Sequence, residues 1–184
     1  HRNTRRQRQM CIRDSYNSVE QVTVFGGEGN DKFISDSTAT QIDVFGDAGD
    51  DQFYVGSVLK TDTVLVEGQE VTIVEEITDG ANFNGSGFFG GEGDDYFEVN
   101  HNAADIGLYG DNGDDTFFIK ALLTLDDDGE LLDIDSGTST VSGVSEEQNA
   151  NDTREVDVDT LVYVENANVT IDGGAGFDSV AIVG

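Results

Sequence analysis

The chain has neither proline nor tryptophan, and it holds one cysteine and one methionine among 184 residues. Basic residues are scarce, 9 against 38 acidic ones, for a formal net charge of −29. That imbalance excludes nucleic acid and anionic membranes as natural partners and leaves cations, basic partners or a very salty medium. Few long aliphatic runs occur, and none approaches the length of a membrane span. With proline missing, glycine, present 23 times, is the turn-maker to follow.

The first fifteen residues stand apart from the rest. HRNTRRQRQMCIRDS holds five of the nine basic residues together with Cys11 and Met10. Its RQMCIRDS stretch resembles a translated sequencing adaptor, so residues 1–15 are expected to be a non-native, disordered tail outside the fold. A basic tail or an Arg-rich mitochondrial-type presequence is the rival reading, against which no apolar segment follows and the join to the acidic body is abrupt. Without this segment the body has only Lys32, Lys60, Lys120 and Arg154 as cations, and no cysteine, so disulfides play no part. The chain stops at Gly184 directly after a repeat, and the expectation is an internal fragment, residues 16–184 being part of a larger secreted protein.

Self-similarity dominates that body. The pattern G-[G/D]-x-G-x-D, followed two residues later by a large apolar residue, occurs five times. The copies are GGEGNDKF (Gly26–Phe33), GDAGDDQF (Gly46–Phe53), GGEGDDYF (Gly90–Phe97), GDNGDDTF (Gly110–Phe117) and GGAGFDSV (Gly173–Val180). Copies one and two lie 20 residues apart, as do three and four, and the first pair maps onto the second with an offset of 64 and no gap. Such phasing is duplication.

The flanks alternate. Val24, Val44, Phe88, Leu108 and Ile171 stand two residues before the first glycine; Phe33, Phe53, Phe97, Phe117 and Val180 stand two after the Asp. Ser35, Val55, Val99, Ile119 and Ile182 follow two further on. Period-two apolar positions around a Gly–Asp turn describe two short strands, each with one face inward. Such strands cannot bury that face alone, so successive units must stack, which predicts an all-β solenoid with one coil per repeat and roughly eight coils. The intervening DTVLVEGQEVTIVEE reads as a coil whose turn, near Glu67–Glu70, has degenerated. ALLTLDDDGELLDID offers another turn at Asp126–Glu130. Residues 136–155, polar and aperiodic, read as a loop insertion, after which TLVYVENANVTIDGG resumes strands.

Calcium takes six to eight oxygen ligands. A glycine turn tolerates positive φ, so successive carbonyls can point at one place, and the missing Cβ lets an ion approach the backbone. The sixth-position carboxylates Asp31, Asp51, Asp95, Asp115 and Asp178 add charge. One turn offers too few oxygens, but two turns stacked about 4.8 Å apart can sandwich an ion.

These residues resemble the RTX, or haemolysin-type, calcium-binding nonapeptide repeat G-G-x-G-x-D-x-U-x. The resemblance implies that this solenoid is a right-handed parallel β-roll or β-helix, secreted, with calcium held between adjacent turns by turn carbonyls and the Asp. The candidate metal residues are then Gly26, Gly27, Gly29 and Asp31; Gly46, Asp47, Gly49 and Asp51; Gly90, Gly91, Gly93 and Asp95; Gly110, Asp111, Gly113 and Asp115; and Gly173, Gly174, Gly176 and Asp178. Unlike the family's tandem nonapeptides, the 20-residue period keeps the motif on one side of each coil. The opposite turns, Ser35–Gln41 and Asn100–Asp105, are polar and lack it. A single interrupted row of ions is therefore expected, with one site between copies one and two and another between three and four, the turn at Gly173 left without an assigned partner. Asp47 and Asp111 replace glycine at the second position, which Asp tolerates better than most residues.

Other features have plainer readings. DDDGE could start an EF-hand loop from Thr124 to Asp135, but no helices flank it, and a solvated acidic turn fits better. Phe25, Phe45, Phe89 and Tyr109 point away from the core, either as an exposed ladder for a carbohydrate or other partner or stacked on one another. His101, the body's one histidine, reads as a surface residue. No nucleophile–His–Asp set can be assembled, so the fragment is expected not to be an enzyme. The leading function is calcium-ion binding in a structural or adhesive module of a secreted or cell-surface protein. The alternatives are a calcium-dependent β-helix polysaccharide lyase, for which only four scattered cations are available, and an accessory region of a secreted hydrolase or toxin. A halophile's acidic surface leaves the concentration of carboxylates in glycine turns unexplained.

Overall fold

Alternating side chains on either side of a glycine turn sort the strands into two sheets with the apolar faces between them. The computed structural model describes residues 8–9, 19–38, 40–66, 68–124, 154–155, 162–163 and 166–183. Its strands are β1 (Arg8–Gln9), β2 (Gln21–Glu28), β3 (Asp31–Ser35), β4 (Gln41–Ala48), β5 (Gln52–Val55), β6 (Val58–Val66), β7 (Gln69–Ile77), β8 (Ser86–Glu92), β9 (Tyr96–Val99), β10 (Ile106–Asn112), β11 (Thr116–Lys120), β12 (Leu123–Thr124), β13 (Arg154–Glu155), β14 (Val162–Tyr163), β15 (Val169–Asp172) and β16 (Ser179–Val183). The described residues are all-β, with no helix.

The strand before each Gly–Asp turn joins one parallel sheet, ordered β15-β10-β8-β4-β2. The strand after it joins the other, ordered β1-β3-β5-β9-β11-β16. Equivalent residues of successive repeats pair in register: Val24 with Val44, Val44 with Phe88 and Phe88 with Leu108 in the first sheet, and Phe33, Phe53, Phe97, Phe117 and Val180 in the second. The core lies between the sheets and contains the inward residues of both. Its spine is a column of stacked rings, Phe33, Phe53, Phe97 and Phe117, with centroids 5.0, 4.6 and 4.8 Å apart. Phe88 meets Phe53 edge-on from the opposite sheet. At the last repeat Val180 and Ile182 continue the columns but are exposed.

The stretch expected as a degenerate coil is instead an antiparallel hairpin, with β6 paired to β7 from Val58↔Ile77 to Val66↔Gln69. Both arms are β-branched runs and neither carries a Gly–Asp turn, so they satisfy each other locally, bending at Gly68 with φ +81. The hairpin belongs to a third, lateral sheet, ordered β13-β6-β7-β12-β14. Because these residues leave the stack, β4 pairs directly with β8 and β5 with β9. The described residues therefore carry five turn units rather than roughly eight, and the five are contiguous. The lateral sheet has a separate small core of Val64 and Ile73, supported by Val66, Val71 and Leu123. Ile73→Ala should cost about 2–4 kcal/mol there yet leave the Gly–Asp turns in place. Amide exchange checks this: the hairpin amides should speed up while those of β9 and β11 stay protected.

Residues 1–15 fall outside the described residues except Arg8–Gln9, which pair in parallel with Asp31–Lys32. Asp126–Glu130, and the 136–155 segment apart from Arg154–Glu155, likewise lie outside them.

Candidate functional site

The five Gly–Asp turns form one uninterrupted column along the joint between the two parallel sheets. Their second residues lie in the left-handed region throughout, and at Asp47 and Asp111 this holds for a non-glycine, with φ of 72° and 70°. The register sets Gly27 beside Asp47, Asp47 beside Gly91 and Gly91 beside Asp111. Asn112 bridges to Ala175, which brings the turn of Gly173, Gly174, Gly176 and Asp178 directly onto the fourth. The fourth-position glycines tie one turn to the next: the N–H groups of Gly29, Gly49, Gly93 and Gly113 donate to the carbonyls of Ala48, Glu92, Asn112 and Ala175 at 2.7–3.0 Å.

This corrects the expected row. The second and third turns are neighbours, and so are the fourth and fifth, giving four equivalent gaps where two were expected. The sequence spacing misled because the residues between copies two and three were counted as a coil, whereas they exit as the hairpin.

The sixth-position aspartates form a ladder through these gaps. The Asp31 N–H donates to Asp51 Oδ1 at 2.6 Å, Asp51 to Asp95 Oδ1 at 2.7 Å, Asp95 to Asp115 Oδ1 at 2.9 Å and Asp115 to Asp178 Oδ1 at 3.1 Å. The second oxygen is different. Oδ2 of Asp31, Asp51, Asp95 and Asp115 is buried and has no hydrogen-bond partner. Each faces the first glycine of its own turn, where a main-chain oxygen of the next turn also arrives. A methyl group placed on Gly46 would collide with Asp51 Oδ2 and come within 2.6 Å of the Gly90 carbonyl oxygen. One placed on Gly110 would collide with Asp115 Oδ2 and lie 2.6 Å from the Gly173 carbonyl oxygen. Two kinds of oxygen thus converge at each gap, with no donor supplied to Oδ2.

An unpartnered buried carboxylate oxygen is costly, and the protonation behaviour reflects it. Burial, aided by the charges of Asp31, Asp50 and Asp47, pushes the Asp51 carboxyl up from 3.8 to about 6. Burial between Asp51 and Asp115 pushes Asp95 up to about 7. Asp115 is raised as well, first by burial and then by Asp178, Asp94 and Asp111.

The donor set fits a hard, oxygen-seeking cation. Nitrogen and sulfur ligands are lacking at the turns, and carbonyl plus carboxylate oxygen is what Ca²⁺ takes. Among the described residues no group of three or more His, Cys, Asp or Glu side chains gathers as a metal cluster. Any ion here would therefore draw mainly on main-chain oxygens with the Asp ladder.

Sequence reading passed over the fifth position. Asn30, Asp50, Asp94 and Asp114 each accept a main-chain N–H from the following turn, at 3.2, 3.2, 2.9 and 2.9 Å. The signal was present, since four of the five residues at that variable position are Asn or Asp.

On the opposite side, polar turns are locked by side-chain amides. Asn100 Nδ2 donates to the Gly56 carbonyl at 2.9 Å, and Asn102 Nδ2 to the Ala104 carbonyl at 2.8 Å. His101 is not a surface residue: it is 1 % exposed. Its Nδ1 lies 3.2 Å from Asn166 Oδ1, and burial holds its imidazole below the ordinary value. Phe25, Phe45, Phe89 and Tyr109 stack on one another along the outer face, with centroids 5.2, 4.6 and 4.6 Å apart. Their ring faces are spent on each other; Phe25, at the end, is 59 % exposed.

No protein-family model, curated protein or solved structure matches the chain. The likeness to the RTX repeat therefore rests on the motif residues alone. No helix among the described residues is long and apolar enough to cross a membrane.

Proposed function

We propose that the chain is a calcium-binding right-handed β-roll, with ions held in the gaps between successive Gly–Asp turns. The observation that carries this reading is the set of four buried, unpartnered Oδ2 atoms, on Asp31, Asp51, Asp95 and Asp115. Each stands where a carbonyl of the adjacent turn converges. Bound calcium would supply positive charge where the fold leaves carboxylate charge uncompensated. Gly26, Gly46, Gly90, Gly110 and Gly173 would offer carbonyls and admit the ion close to the backbone. The sixth-position aspartates would be shared between consecutive gaps.

The module is structural or adhesive and works outside the cell, where calcium reaches the roughly 10⁻⁴–10⁻³ M affinities of extracellular modules. Inside a cell, a chain with net charge −29 would repel itself into a loosely folded state. The described lysines favour binding over catalysis. Lys60 pairs with Glu75, Lys120 with Glu98 at 2.6 Å, and Lys32 covers the Tyr54 ring at 3.9 Å. They sit on different strands and form no shared cationic pocket for an acidic sugar.

The test is circular dichroism and isothermal titration of residues 16–184 with calcium. The expected result is a gain of β signal, with uptake of about four ions, one per gap. Full β structure in EDTA that millimolar calcium leaves unchanged, with no heat of binding, would overturn the proposal.

A further inference from the structure

Two side-chain ladders run through the turn column, and they run in opposite directions. At the sixth position Asp51, Asp95, Asp115 and Asp178 each accept from the turn before. At the fifth position each side chain accepts from the turn after it: Asn30 from Asp50, Asp50 from Asp94, Asp94 from Asp114 and Asp114 from Phe177. Adjacent residues thus close every gap from both sides. The two columns differ in what else they do. The carboxylates of Asp31, Asp51, Asp95 and Asp115 are buried and keep a free oxygen facing the gap, while Asp50, Asp94 and Asp114 are exposed.

Charge alone is a poor reason for this second column. Like carboxylates stacked at the strand spacing of about 4.8 Å repel one another. The first turn shows what the position requires. Asn30 is neutral, yet its Oδ1 accepts the Asp50 N–H as the aspartates accept theirs, and its Nδ2 returns a bond to Asp50 Oδ2 at 3.2 Å. The property shared by Asn and Asp is the acceptor oxygen. Phe177, at the fifth turn, donates its N–H to Asp114 but has no side-chain acceptor, so the ladder stops there; its ring is 84 % exposed.

We infer that Asn30, Asp50, Asp94 and Asp114 are positioning residues that fix the spacing between successive turns, and hence the ion affinity of each gap, through an accepted hydrogen bond and not through their charge. This rests on the calcium reading above. It also makes each residue local: Asp94 governs the gap between the third and fourth turns, and Asp114 the gap between the fourth and fifth.

The experiment compares the full chain with Asp94→Ala, Asp94→Asn and Asp114→Ala by calcium titration calorimetry and by amide exchange in the calcium-loaded state. Asp94→Ala should weaken one ion roughly tenfold, the usual scale for a lost hydrogen bond to a charged group, and speed exchange of the Asp114 amide. Asp94→Asn should recover most of that affinity. Asp114→Ala should do the same at the last gap, exposing the Phe177 amide, and it carries the test if Asp94→Ala does not fold. Alanine variants that bind like the unsubstituted chain, or an Asn variant as weak as the alanine, would overturn the inference while leaving calcium binding intact. An unsubstituted chain that takes up no calcium would remove the underlying reading itself.

Discussion

Gly113→Ala should break the contact between the third and fourth turns, whereas Gly27→Ala should be mild. Both residues have positive φ, +143° and +91°, so an alanine at either site carries a backbone cost of about 1–2 kcal/mol. The difference is steric. A Cβ on Gly113 would overlap the carbonyl of Gly93, whose own N–H ties it to the Asn112 oxygen of the same neighbouring turn at 2.9 Å, whereas one on Gly27 would meet nothing within 4 Å. Backbone cannot rotate aside as a side chain does, so the overlap opens the gap between the third and fourth turns. We expect a loss of about 3 kcal/mol or more at Gly113, against about 1–2 kcal/mol at Gly27. Urea unfolding in millimolar calcium reads both. Equal midpoints for the two variants would show that the turns are not in the close register described here.

The contrast also shows how far the sequence could be read. Local pattern was reliable: alternation around each turn correctly set Val24, Val44, Phe88 and Leu108 against the Phe33–Phe53–Phe97–Phe117 column, because a strand's two-residue period leaves little choice of face. The left-handed Asp47 and Asp111 were legible for the same local reason. What connects to what was not. The β6–β7 hairpin and a coil have the same β-branched composition, and only partner choice separates them. Two arms that close on each other through Gly68 need less loop entropy than two that each find a distant strand, so the hairpin forms and the second and third turns become neighbours. His101 was misread because its neighbours in sequence are polar. Its contacts come from far along the chain, with Asn166, 65 positions away, at its Nδ1 and Gly56 and Gly80 against its main chain, which no local pattern reveals.

The fifth-position ladder was hidden for a related reason. Its donors lie one turn along the stack, at separations of 20, 44, 20 and 63 residues. A motif written for a single turn assigns that position no role. Only the stacked register shows that Asn30 and Asp50 do the same thing.

The metal-free chain should become more stable on acidification, and calcium should reverse that dependence. Asp51 and Asp95 titrate at about 6 and about 7 in the fold, against an ordinary carboxyl value of 3.8. A raised folded value means that the protonated form is favoured by folding. The stability these groups contribute is full below about pH 4 and is lost as the pH rises through about 6 and then about 7. At pH 8 the ionised form costs on the order of 3 kcal/mol at Asp51 and on the order of 4 kcal/mol at Asp95. Calcium acts in the other direction, because it binds the ionised carboxylates and each gap held at a hundredfold excess over its dissociation constant adds about 2.7 kcal/mol. Urea unfolding between pH 4 and pH 8 should therefore slope downward in EDTA and upward in 10 mM calcium. Asp95→Asn sharpens the test, since it keeps an acceptor for the Asp51 N–H and removes the charge. At pH 8 it should raise metal-free stability by roughly 2 kcal/mol and lose calcium stabilisation at the gaps Asp95 shares. A variant that is weakened in both conditions would mean that the buried Oδ2 atoms serve packing alone. A gain without calcium coupled to a loss with it is the signature of carboxylates kept for a cation.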